Sequence, residues 1–251
     1  MTYFAETQSD ILWAIRQRLS GLALALLDAA QGAEGSTSTT CSDILLVRQP
    51  NPLFIYLCTK IWPDGSTYSI SLFYSSAEEG QVENMKSCKE WLAKSSYDIE
   101  YKCGRAMRVA AERGHLAVME QCRKWSAFYH YWAIGGAAYG GHLELLKRCK
   151  SWIISDGITP DYNGAMEEAA AGGHIEVVRK CKKWGATNYR MSFVRGVAGN
   201  HIDVVKQCKV WMDDTVSVGF YAWPIQMTTL FKYAKLERLL KKWRTACQNR
   251  H

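Results

Sequence analysis

No stretch of the 251-residue chain reaches the roughly 18 uncharged apolar residues that a membrane-spanning helix needs. The nearest approach, Ile11 to Ala30, is interrupted by Arg16, Arg18 and Asp28. It reads as an apolar-rich helix with Asp10 as N-cap and Gln31-Gly32 as its stop, and no membrane is expected among the partners. Met1 to Glu6 has no positive segment leading into an apolar core, so a secretory signal is not expected and the cytoplasm is the expected compartment. A phosphate-cradling Gly loop, a zinc-ligand spacing and a nucleophile elbow are all missing, and with them any reading of an enzyme, a cofactor or a metal. Cysteine is not scarce, but the nine are odd in number and five recur at one repeat position: Cys88, Cys122, Cys149, Cys181 and Cys208. Equivalent positions on stacked helices lie about 8–10 Å apart. A disulfide needs Cα atoms about 4.4–6.8 Å apart. The ladder therefore reads as small buried hydrophobes in a reducing compartment.

What the chain has is repetition. The clearest copy runs Ala169-Ala170-Ala171-Gly172-Gly173-His174-Ile175-Glu176-Val177-Val178-Arg179-Lys180-Cys181-Lys182-Lys183-Trp184. Ala110 to Trp125 and Ala137 to Trp152 repeat its shape, and looser copies end at Trp91 and Trp211. The closing tryptophans 91, 125, 152, 184, 211 and 243 are 34, 27, 32, 27 and 32 residues apart. A period of this length means stacked units, each too small to bury its own apolar face.

Taking the His or its equivalent (Gln81, His115, His142, His174, His201) as origin, each unit reads as two helices. Phe73, Met107, Ile134, Met166 and Phe193 stand eight residues before it; Ala77, Ala111, Ala138, Ala170 and Val197 stand four before it. This is one apolar stripe on a short first helix, with small residues where neighbours come closest. Gly80, Gly114, Gly141 and Gly173 precede the origin, where a helix stops in the left-handed conformation, and Asn200 takes that place in the last copy. The second helix runs to the Trp with apolar residues at +1, +3, +4, +7 and +10. Acids stand in its first turn and bases in its last two, as the helix dipole favours, and Glu144 with Arg148 and Glu176 with Lys180 make i, i+4 pairs. On this reading residues 1–42 are a helix and a flexible Gly/Ser/Thr link, residues 43–224 are repeats of which Asp43 to Trp62 is a degenerate first copy, and residues 225–251 are a basic capping helix of the same stack. The inserts Leu92 to Arg105 and Ile153 to Gly164 are expected to project.

The unit resembles the ankyrin repeat, in particular the short Trp-ended ankyrin-like repeats found in many copies in giant DNA viruses. The resemblance covers Leu72 to Trp211. It implies an all-α, ankyrin-type solenoid of stacked helix-turn-helix repeats with atypical terminal caps. It also implies a non-enzymatic protein-protein interaction module, a viral protein acting on a host protein in the host cytoplasm. The 27-residue units lack the Thr-Pro-Leu-His stretch of the usual ankyrin repeat.

Within that frame the His residues at the origin are expected to make structural hydrogen bonds, and the tryptophans to be core wedges. In a repeat protein the positions that vary are the ones free to recognise a partner. Tyr129, Tyr131, Tyr139 and Arg190 vary between units and are of the types that anchor interfaces, so they are the candidate partner-binding residues. Two other functions remain open. Residues 225–251 hold seven Lys and Arg against Glu237 alone, which suits a basic nucleic-acid-binding protein. Trp223-Pro224-Ile225 is similar to the Leu-Pro start of the F-box-like ends of some poxviral ankyrin proteins, which points to a ubiquitin-ligase adaptor.

Overall fold

The computed structural model describes residues 66–92, 99–125, 131–212 and 216–249. The expected N-terminal helix, the Gly/Ser/Thr link, the degenerate copy ending at Trp62, and Tyr129 lie outside them. The chain divides into two compact units, Met1–Leu72 and Phe73–His251. Of the first, only the opening turns of helix α1, Ser66–Glu78, are described. All the other described helices belong to the second.

The described residues are helical throughout, with no strand among them. After α1 come α2 (Val82–Leu92), α3 (Ile99–Arg113), α4 (Leu116–Trp125), α5 (Tyr131–Tyr139) and α6 (Leu143–Ser155). Next are α7 (Tyr162–Gly172), α8 (Ile175–Lys183), α9 (Tyr189–Ala198), α10 (Ile202–Trp211), a 3-10 turn at Val218–Tyr221, α11 (Ala222–Leu230) and α12 (Ala234–Gln248). The odd-numbered helices α3, α5, α7, α9 and α11 pack in succession on one another, and α2 on α4 and α8 on α10 form a second layer. Each pair is closed by the same turn. Gly173 sits at φ 82°, its N–H bonds the Ala170 carbonyl, and the His174 N–H reaches back to Ala169 at 2.9 Å. That is the paired bonding of a Schellman stop, which satisfies carbonyls the helix leaves open. The same bonds recur before His115, His142 and His201.

The core is the repeated register. Phe73, Met107, Ile134, Met166 and Phe193, and four residues on Ala77, Ala111, Ala138, Ala170 and Val197, are all buried, as are Cys88, Cys122, Cys149, Cys181 and Cys208. Cys122, Cys149, Cys181 and Cys208 are free thiols. Burial pushes Cys149, Cys181 and Cys208 up to about 12. Cys122 is also raised, first by its hydrogen bond with Cys103 and then by burial.

Three local expectations change. The second insert lengthens a helix before it projects: α6 continues past Trp152 to Ser155 because Ile153 is itself buried, and Gly157 then turns the chain to a buried Pro160. The charge pairs within the second helices are i, i+3, Glu176 with Arg179 at 2.8 Å and Glu144 with Lys147. Arg148 instead crosses to Glu120 of the preceding unit at 2.7 Å. The tryptophans are not uniformly enclosed: Trp152 is 8% exposed, whereas Trp125, Trp184 and Trp211 are half-buried.

Candidate functional site

Most residues that recur are spent on joining one unit to the next. His115 Nε2 lies 2.8 Å from the Glu78 carbonyl oxygen, His142 Nε2 3.0 Å from that of Glu112, and His201 Nε2 2.9 Å from that of Ala171. His174 makes the equivalent bond to Tyr139. A carbonyl only accepts, so each ring carries its proton on Nε2 and donates to the first helix of the unit before it. Burial lowers the His174 pKa, outweighing that hydrogen bond. The imidazole also lies flat on the preceding turn, so a Cβ on Gly173 would come within 2.4 Å of His201 Nδ1. Beyond its left-handed backbone, that turn therefore has no room for a side chain. Asn200 holds the same conformation at φ 59°.

The Cys-Lys-x-Trp ending has a parallel use. Lys89 sits 5.0 Å from the Trp125 ring, Arg123 5.0 Å from Trp152, Lys150 4.4 Å from Trp184, and Lys182 4.3 Å from Trp211. Each cation follows the cysteine of one unit and covers the tryptophan of the next. Tyr162 and Tyr189 flank Trp184 and Trp211 at 5.5 and 5.6 Å, and Lys150 and Lys182 also face these tyrosines at 5.3 and 5.2 Å. The result is a run of cation and ring contacts along the ends of the second helices.

A cleft of ≈ 340 Å³ opens instead where the units differ. Its apolar wall comes from Trp132 and Ile134 of α5, Ile153 of α6, and Ile158 and Pro160 of the loop after α6. Asp161, Glu167 and Glu168 line it with Arg108. Seven residues before the origin, the units carry Tyr74, Arg108, Gly135, Glu167 and Val194, five different types at one register. Gly135 puts no side chain in the way, and Arg108 of α3 passes over it to Glu168 of α7 at 3.2 Å. Glu167 accepts from Asn188 Nδ2 at 2.7 Å; burial still raises its pKa against that bond and the nearby Arg195. The floor of the cleft thus holds a carboxylate short of solvation, with Asp161 fixed by its N-cap bond from the Gly164 N–H.

Of the residues expected to bind a partner, Tyr139 and Arg190 do not line this cleft. Tyr139 is 39% exposed at the end of α5, and Arg190 is exposed in the first turn of α9. Tyr131 opens α5, and Tyr129 lies outside the described residues. Sequence reasoning ranked residues by type and so passed over Arg108, Gly135, Glu167 and Glu168. The signal that finds them is disagreement at a fixed distance from the His. No protein-family model matches the chain, and no curated protein is significantly similar to it.

Proposed function

We propose that the chain is a non-enzymatic scaffold, an ankyrin-type helical solenoid that holds a partner protein at the cleft between α5, α6 and α7. The observation that carries this reading is a division of labour among residues. His, Gly, Trp and the cation after Cys recur and join one unit to the next, whereas the cleft is lined largely at positions that vary, Arg108, Gly135, Glu167 and Glu168 among them. Its apolar wall and carboxylate floor fit a side chain with an apolar stem and a cationic head, such as an arginine or lysine projecting from the partner. The resemblance to giant-virus repeats further supports a viral product acting on a host protein in the cytoplasm. Among the described residues no helix is long and apolar enough to cross a membrane.

The test is capture from the producing cell on the immobilised full chain, with bound proteins identified by mass spectrometry. Wild type is compared with Ile158→Ser, Glu167→Gln and a Tyr139→Ala/Arg190→Ala variant. A partner lost with the first two at an unchanged melting temperature supports the cleft; one lost only with the third moves the site to the residues singled out by type. A chain that retains no protein under any condition contradicts the scaffold reading.

A further inference from the structure

Helix α11 is apolar on nearly every side, yet one side of it faces solvent. Pro224, Ile225 and Thr228 are buried. Trp223 is 47% exposed, Leu230 70% and Phe231, just beyond the helix, 49%. Trp223, Met227 and Leu230 stand at i, i+4 and i+7, so they share one stripe along the helix. Single exposed apolar residues are ordinary on a protein surface, but an apolar stripe facing water marks a contact surface.

Cations accompany the stripe. Lys232 follows Phe231 directly and is exposed. On α12, Lys235, Arg238 and Lys242 recur at i, i+3 and i+7 and are exposed as well. Glu237, the one acid of α12, is engaged by Lys241 at 2.6 Å, a hydrogen bond that lowers its pKa. This end of the chain therefore offers exposed apolar side chains together with a surplus of positive charge.

We propose that the α11–α12 end docks on an anionic membrane surface, with Trp223, Leu230 and Phe231 entering the headgroup region and Lys232, Lys235, Arg238 and Lys242 facing lipid phosphates. Aliphatic and aromatic side chains beside lysine and arginine are the combination that binds such an interface. A second copy of the chain would bring two positive ends together, which charge opposes. Nucleic acid would use the cations and the faces of aromatic rings. It has no use for Leu230, the most exposed of the three, and Tyr233 already stacks on Phe231 at 5.7 Å. The association is peripheral. It needs no spanning segment, and among the described residues no helix is long and apolar enough to be one.

The experiment is co-sedimentation of the full chain with vesicles of phosphatidylcholine containing phosphatidylserine, and with vesicles of phosphatidylcholine alone. Wild type should bind the first and not the second, and added salt should release it. A Trp223→Ser/Leu230→Ser/Phe231→Ser variant and a Lys235→Gln/Arg238→Gln/Lys242→Gln variant should each bind at least about tenfold more weakly. Both should keep the wild-type circular dichroism at the assay temperature, so that weaker binding is not loss of fold; the half-buried Trp223 and Phe231 lower the melting temperature of the first variant only modestly. Failure of the wild type to bind the anionic vesicles overturns the proposal, and so does undiminished binding by the apolar variant. Salt-sensitive binding of a polynucleotide with no vesicle binding also overturns it and assigns the cations to nucleic acid.

Discussion

At the scale of single residues, the glycine before each histidine answers to two demands, and the last copy separates them. Gly173 is left-handed and also lies under the His201 ring; Asn200 is left-handed as well. Asparagine tolerates that backbone better than other side chains do, which is why its place could be read from sequence alone. The ring overhead could not, because it belongs to the next unit. Gly173→Ala is therefore expected to cost more than the roughly 1–2 kcal/mol of left-handed strain, while Asn200→Gly should stay within about 0.5 kcal/mol. In a Gly173→Ala/His201→Ala double mutant the steric part disappears, so urea midpoints should show the two changes costing less together than their sum. Strict additivity would remove the histidine from the explanation. The thiols give a second prediction. Folding raises Cys149, Cys181 and Cys208 to about 12, so their contribution is complete below the unfolded thiol value and is lost as pH climbs toward the folded one. Stability should fall from about pH 8.5 upward by about 1.4 kcal/mol per pH unit for each of them. Cys181→Ala should remove one such share of the slope in denaturant midpoints taken between about pH 8 and about pH 9.5. An identical slope in the variant would show that the thiol is not shielded.

At the scale of elements, helix limits were legible where the signals that set them are local and repeated: the Gly-His stop and the stripe eight and four residues before the His. Contacts between units were not, since counting along one helix cannot see the helix beside it. That is why Arg148 pairs with Glu120 and not with Glu144. It is also why the tryptophans looked like wedges: the apolar stripe places them on the core side, but the cation that covers each one comes from the unit before. Trp152 is the nearest to a wedge, being 8% exposed with Arg123 and Arg148 5.0 and 5.9 Å from its ring. Trp152→Ala is expected to cost about 3–5 kcal/mol, as for an enclosed aromatic, and Trp184→Ala measurably less. Lys182→Met, which keeps the stem and removes the charge over Trp211, should cost about 0.5–1 kcal/mol. Thermal melts of the three variants rank them, and an equal loss from Trp152→Ala and Trp184→Ala would contradict the exposure difference.

At the scale of the whole second unit, stability should travel mainly between neighbours, because the principal packing joins α3 to α5, α5 to α7, α7 to α9 and α9 to α11. Arg108 with Glu168 skips a unit, but at 40% and 22% side-chain exposure such a pair contributes at most about 1 kcal/mol. The end of the stack is held by α12, whose Leu236 and Leu240 are buried and whose Trp243 ring lies 6.3 Å from Phe193 of α9. The heptad-like spacing of these residues was legible in the sequence, since a helix apolar on one side and basic on the other can only lay the apolar side inward. What lay outside its reach was the apolar stripe left outward on α11, because burial of Pro224 and Ile225 depends on which side of that helix α9 and α12 occupy. Leu240→Ala should cost about 2–5 kcal/mol, a large part of a typical total of about 5–15. In a stack coupled through neighbours, that loss should be felt first where α12 sits. Hydrogen exchange followed by mass spectrometry should then show amides of α9, α11 and α12 losing protection at once while those of α3 and α4 keep theirs. Loss of protection to the same extent in every helix would mean that the second unit melts as one body, and the cleft at α5 to α7 could not then keep its shape while the end that bears Trp223 and Leu230 loosens.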